Sequence, residues 1–309
     1  MGYKLAGFNV IGNCEIDKCM NQIYVHNHHP RFNFNMDIRQ FKILPDDKLP
    51  EEVFSLDILD GSPPCSTFSV AGEREDAWGK TKVFREGQKA QTLDDLFFEF
   101  IEVAERLRPK VIVAENVKGM ILGNARGYLN EIFKRLDSIG YKPQIFLLNS
   151  AFMGVPQRRE RIFIIACRKE MKLNKLHLSF NESPIPYQKV KAGTGRLLDT
   201  KTKLYWYWKQ RIKLDKSIGD IAERIYGKSK GFTNALLHDE YVAPTLTANG
   251  SFLRYGEPCF LSDLDIVHIQ TFPENYDFME QNVQYVCGMS VPPVMMQRIA
   301  QQIYLQWLK

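Results

Sequence analysis

Apolar residues recur at helical spacing in one stretch more clearly than elsewhere. Leu93, Leu96, Phe97, Phe100, Ile101, Ala104 and Leu107 follow the i, i+3, i+4, i+7 pattern of a helix with one buried face, and Pro109 ends the run. Short apolar runs at 53–59, 111–114, 145–148 and 162–165 predict buried strands. Residues 128–136 predict a second helix closed by Gly140, and 16–29 a helix with Met20, Ile23 and Tyr24 on one face. At the start, residues 1–7 read as the end of a helix closed by a glycine, and 8–15 alternate as a strand. A short polar loop at 35–38 follows the first long helix. Residues 291–307 predict a last helix, opened by Pro292 and Pro293, which suit a first turn. Strands alternating with helices predict an α/β protein with a doubly wound, Rossmann-like sheet covered on both faces.

The periodicity fades after Arg168. Residues 171–260 are basic, aromatic and turn-rich, and predict a smaller, irregular domain. Residues 1–170 are then the first domain, and 261–309 return to it. The run Tyr205-Trp206-Tyr207-Trp208 reads as packing residues. Residues 70–91 are charged, Gly-containing and aperiodic, and a loop of that length inside a domain is usually functional.

Composition adds three constraints. With 309 residues, 44% hydrophobic and 25% charged, the chain has material for about two globular domains. It shows no signal peptide and no apolar run long enough to span a membrane, so the expected location is cytoplasmic. The six cysteines lie at 14, 19, 65, 167, 259 and 287, without zinc or disulfide-frame spacing, which predicts reduced thiols and no metal. His26, His28 and His29 read as a solvated helix end. Net charge is +5, but residues 188–230 hold twelve basic against four acidic side chains, a local excess of +8. Such a segment predicts a polyanion partner.

The candidate chemistry sits in residues 56–69, LDILDGSPPCSTFS. A buried strand runs into Gly61-Ser62-Pro63-Pro64, and Cys65 follows at once. The prolines fix the backbone and offer no N–H, and the thiol stands at a strand's carboxyl end, where open α/β sheets do chemistry. Taken alone, Cys65 is a structural thiol after a turn, and Glu115 a strand-end surface carboxylate. Arg159 and Arg161 project to one side of an extended chain, and alone they read as an ion pair with Glu160 or Glu115. Together, GSPPCSTFS at 61–69, AENV at 114–117 and GVPQRRERIFIIA at 154–166 resemble the DNA cytosine-5 methyltransferase family, of the prokaryotic or phage restriction–modification type. The resemblance runs from the first residue to about Ala300, and the middle segment adds nothing to it.

The resemblance implies S-adenosylmethionine as methyl donor, with S-adenosylhomocysteine as product. Cytosine carbon-5 is too weak a nucleophile unaided, and a thiolate adding at carbon-6 activates it. By resemblance Cys65 is that nucleophile. Glu115 is the acid at ring nitrogen 3, with its pKa raised by burial, and Asn116 holds the loop. Arg161 contacts the cytosine carbonyl oxygen, and Arg159 supports a phosphate or the catalytic loop. Glu15 and Ile16 hold ribose and adenine, Asp37 and Ile38 cap the adenine amino group, and Pro64 and Leu96 line the cofactor cleft. Met289, Ser290 and Val291 belong to the last cofactor motif, with Met289 where the family usually has Asn. The 70–91 loop closes over a base flipped out of duplex DNA. Residues 244–248, PTLTA, resemble a stretch late in the recognition domain.

The family opens with a strand and a Gly-rich turn that wraps the cofactor's methionine part, and this chain begins just after that point. The expected consequence is an absent central strand with two unpaired neighbours, and weak cofactor binding. A start codon assigned too late, a truncated form, or a strand supplied from elsewhere are the three explanations. The expected partners are duplex DNA and a cognate restriction endonuclease, with a monomer as default. Two alternatives stay open: a catalytically silent DNA-binding relative lacking the cofactor loop, and an RNA (transfer RNA) cytosine-5 methyltransferase of the same family. A thiol hydrolase is remote, because no His accompanies the motifs.

Overall fold

The computed structural model describes residues 1–63, 96–122 and 125–309. Five short elements open the chain: α1 (Gly2–Leu5), β1 (Gly12–Cys14), α2 (Lys18–His28), β2 (Phe32–Phe34) and α3 (Ile38–Lys42). The main sheet follows, from β3 (Ile58–Gly61), α4 (Leu96–Leu107), β4 (Val111–Val117), α5 (Ala125–Ser138), β5 (Tyr141–Asn149) and β6 (Glu160–Arg168). Then come α6 (Lys203–Lys209), α7 (Ile218–Tyr226), β7 (Ala235–Leu237), β8 (Phe252–Arg254), α8 (Asp263–Ile269), α9 (Val283–Met289) and α10 (Pro293–Ile303).

The main sheet has the order β3-β4-β6-β5, and its alternation sorts two cores. Ile112 and Ala114 of β4, with Ile162, Ile164 and Ala166 of β6, pack on Phe97, Phe100 and Ile101 of α4 and Ile132 and Leu136 of α5. The intervening residues, Val111, Val113, Phe163, Ile165 and Cys167, face Met295, Met296, Ile299 and Ile303 of α10. Helices on both faces explain why β4 and β6 read as continuous apolar runs. Fully burying one such Ile or Phe stabilises by roughly 1.5–3 kcal/mol.

Strand direction departs from a wholly parallel winding. β3 and β4 are parallel, while β6 is antiparallel to both β4 and β5. Only residues 150–159 join β5 to β6, too short a link for a helical crossover, so the chain turns back. β1 and β2 form a separate parallel pair.

Three predicted boundaries shift. The 53–59 strand is in fact a 3-10 turn at Glu51–Ser55, entered by Pro50 at φ −60°, and β3 begins only at Ile58. Of the 8–15 strand only Gly12–Cys14 is strand, because the Phe8 N–H closes α1 by donating to the Tyr3 carbonyl across Gly7 at φ 88°. α2 starts at Lys18 because the Asp17 carboxylate accepts the N–H groups of Cys19 and Met20. The described part of α4 buries Leu96, Phe97, Phe100, Ile101, Ala104 and Leu107, as its spacing requires.

Residues from 198 to 253 have a core of their own: Leu198, Tyr207, Trp208, Ile218, Ile221, Leu236 and Leu253. Tyr207 and Trp208 thus pack inward. A further cluster joins Ile23 of α2 to Leu246, Ile266 of α8, Phe272, and Val286 and Cys287 of α9. Among the described residues no helix is long and apolar enough to cross a membrane.

Candidate active site

β3 and β4 run side by side in parallel, with Gly61 opposite Ala114, so their carboxyl ends emerge together. Glu115 and Asn116 lie just beyond that pairing. Buried Asn116 donates from Nδ2 to the Pro63 carbonyl at 3.0 Å, while its Oδ1 accepts the Val117 N–H at 2.9 Å. The end of β4 thereby grips the backbone two residues before Cys65. Cys65 and Pro64 themselves, and the 70–91 loop, lie outside the described residues.

Arg161 is opposite Val117 in the β4–β6 ladder, and its Nε meets Glu115 Oε1 at 2.9 Å. Both side chains are largely buried. Burial raises the Glu115 carboxyl above the ordinary range, against the opposing pull of Arg161, Arg159 and the Ser62 hydroxyl. The result is a carboxyl that holds its proton more readily than a solvated glutamate, beside a guanidinium.

Arg159 is only 2% exposed. Its Nη1 donates to the Leu246 carbonyl and its Nη2 to the Gly288 carbonyl, each at 2.9 Å. Burial lowers its pKa to about 9. Gln157 reinforces the same junction: its Oε1 accepts the Leu246 N–H at 3.0 Å, and its Nε2 donates to Gln270 Oε1. Gln270 in turn donates to the Ser290 carbonyl at 2.7 Å. These three side chains tie the approach to β6, the 244–248 stretch and the end of α9 into one unit. Removing the fork leaves two carbonyls without a donor. Arg159→Met should therefore destabilise the fold by about 3 kcal/mol, with Arg159→Lys restoring only part, because an ammonium lacks the planar fork. An unchanged urea midpoint for Arg159→Met would contradict this bracing role.

The proposed cofactor residues fall in two groups. Glu15 and Asp37 follow the parallel ends of β1 and β2, where Cys14 is opposite Phe34. Glu15 Oε1 accepts the Asp17 N–H at 2.7 Å, and burial raises the pKa of its carboxyl. Asp37 Oδ1 caps α3 through the Arg39 N–H at 2.8 Å. Both carboxylates lie close to Cys14, a residue that keeps solvent contact and whose thiol is pushed up to about 12 by crowding from the protein and by these charges. Ile16 is exposed beside Glu15, and Ile38 packs between α3 and the main core. Leu96 is buried at the start of the described part of α4. In the second group Met289 ends α9 and is 57% exposed. The Ser290 hydroxyl donates to the Val286 carbonyl at 2.7 Å, and Val291 packs under α10.

Sequence reasoning missed Asp60 and Tyr3. The Tyr3 hydroxyl donates to Asp60 Oδ1 at 2.8 Å. Asp60 keeps solvent contact, yet crowding by protein and the nearby Glu115 charge raise its pKa to about 6. The only signal was an acidic residue one position before the end of a strand. Because the folded protein holds this proton more tightly than the unfolded chain, wild-type stability falls as pH rises from the ordinary carboxylate range, 3.8, towards 6. Asp60→Asn carries no charge and still accepts from Tyr3. Its melting temperature relative to wild type should be higher at pH 7.5 than at pH 4, and an equal difference at both would contradict the raised pKa.

These motifs and their arrangement fit what comparison with known proteins shows. The chain belongs to the C-5 cytosine-specific DNA methylase family, which matches residues 1–305. It is 32% identical over 247 residues to the orphan methyltransferase M.SPRI of Bacillus phage SPR, covering 77% of this chain and 50% of that one. It is 31% identical over 239 residues to the type II methyltransferase M.FnuDI of Fusobacterium nucleatum, covering 76% and 56%. The chain thus spans about half the length of these curated relatives. In fold it is similar to a proposed DNA modification methyltransferase of an E. coli prophage, with TM-score 0.70 at 18% identity, covering 100% and 95% of the two chains.

Proposed function

We propose that this chain transfers a methyl group from S-adenosylmethionine to carbon-5 of a cytosine flipped out of duplex DNA, through a covalent adduct at Cys65. The observation that carries this reading is the meeting of two strand ends. Asn116 holds the segment that leads to Cys65, and Glu115, an acid with a raised pKa, stands next to it beside Arg161.

The Cys65 thiolate bonds to carbon-6, and the electron pair of the 5,6 double bond moves to carbon-5. Glu115 gives its proton to ring nitrogen 3, so negative charge does not accumulate on the ring. Arg161 pairs with Glu115, which supports a role as donor to the cytosine carbonyl oxygen. Bound S-adenosylmethionine would supply an electrophilic methyl group, the methyl–sulfur bond breaking as the bond to carbon-5 forms, with S-adenosylhomocysteine as the product. Loss of the carbon-5 proton to a base restores the double bond and expels the thiolate, and nitrogen 3 returns its proton to Glu115.

The donor set at the ends of β1 and β2 suits the nucleoside end of that cofactor. The Glu15 carboxylate can accept ribose hydroxyls, Asp37 can accept from an exocyclic amine, and exposed Ile16 offers a flat apolar face. Ser290 and Met289 lie at the far side of the Arg159 junction. The type II and orphan methyltransferase names of the relatives support duplex DNA as substrate, in a restriction–modification or phage setting.

Incubation with methyl-labelled donor and either duplex DNA or transfer RNA tests the reading. Label recovered as 5-methylcytosine in DNA is expected. Label in transfer RNA alone would move the substrate to RNA, and label in neither would contradict the activity.

A further inference from the structure

The loop between α6 and α7 holds an apolar side chain out in water. Leu214 is 82% exposed, whereas its neighbour Asp215 is 4% exposed. Asp215 is the clamp. Its Oδ2 accepts the Ile212 N–H at 2.7 Å, and its own N–H donates to the Ile212 carbonyl at 3.0 Å. Arg224 reaches the same carboxylate at 2.9 Å, and His238 Nε2 lies 2.8 Å from the Asp215 carbonyl. The base of the loop is fixed as well: the Arg211 guanidinium stacks 3.4 Å over the Trp208 ring and donates to the Tyr255 carbonyl at 2.6 Å.

A lone exposed leucine is ordinary on a protein surface. A leucine on a loop pinned from both sides is different, because the clamp denies it the freedom to fold back onto the core. Its surroundings are basic. Lys213 and Lys216 flank it, with Lys209 and Arg211 just before, inside the segment whose local charge excess is +8. Lys213 pairs with Glu240 at 3.5 Å, an exposed pair that contributes little. Lysines suit phosphates, and an apolar side chain suits base edges such as the thymine methyl.

We propose that Leu214 is a groove contact for duplex DNA: Lys213 and Lys216 take the backbone phosphates, and Leu214 presses on base edges between them. This rests on the reading that the chain acts on DNA, and goes beyond it by naming the element that touches the bases.

Equilibrium binding of the full chain to a mixed-sequence duplex tests it, with melting temperature measured alongside. Leu214→Ala should bind roughly five- to tenfold more weakly, with unchanged melting temperature and unchanged salt slope. The double variant Lys213→Ala, Lys216→Ala should lower the salt slope by about 2. Leu305→Ala, at another exposed leucine, should bind as wild type. Wild-type affinity for Leu214→Ala, with methyl transfer intact, would overturn the groove contact alone. A wild-type chain that binds no duplex would overturn the DNA reading and this contact with it.

Discussion

Cys65→Ser should reduce methyl transfer to background, a loss on the order of 10⁴-fold or more, while duplex binding stays within a few fold of wild type. A serine hydroxyl is not ionised near neutral pH, and it is a poor nucleophile towards the conjugated ring. Without addition at carbon-6, carbon-5 gains no electron density for the methyl transfer. The substitution changes one atom, and the Asn116 grip on the Pro63 carbonyl involves backbone that it leaves alone. Retained turnover in the variant would remove Cys65 from the reaction.

Glu115→Gln should lower the rate by about 10²- to 10⁴-fold with a much smaller change in affinity. Glutamine keeps the shape and can still donate a hydrogen bond, but it cannot deliver a proton to nitrogen 3. Burial holds the Glu115 pKa above the ordinary range, so more of the acid form is present near neutrality than for a solvated glutamate. The wild-type rate should therefore carry an alkaline limb from this group that the glutamine variant lacks. The variant also leaves Arg161 without its anionic partner, so stability should fall as well. An unchanged rate would end the acid role of Glu115. A parallel fall in rate and affinity would make it a binding residue instead.

The parts legible in the sequence were those governed by burial on a regular period. Residues 96–107 show a helical stripe because one face of α4 meets the sheet. Residues 111–114 of β4 and 162–167 of β6 form apolar runs because both faces are covered there. The reversal of β6 was hidden, since alternation is the same in parallel and antiparallel strands and only the short link betrays direction. β2 was hidden because three residues carry no period. The motif string drew attention to Glu115, Asn116, Arg159 and Arg161, but not to what they hold. Arg159 reaches carbonyls 87 and 129 residues away, and Tyr3 reaches Asp60 across 57. Such pairings follow from tertiary packing and leave no local pattern. Leu214 was passed over for the related reason that its exposure depends on the clamp at Asp215.

Covalent trapping tests the central claim most directly. In duplex DNA carrying 5-fluorocytosine at every cytosine, the final loss of the carbon-5 substituent is blocked, so an adduct that forms must persist. With S-adenosylmethionine present, the account predicts a denaturant-resistant complex whose mass is protein plus DNA strand plus one methyl group, joined at Cys65 by peptide mapping and absent in Cys65→Ser. Methyl transfer to ordinary cytosine with no trapped complex, or an adduct on another residue, would contradict it.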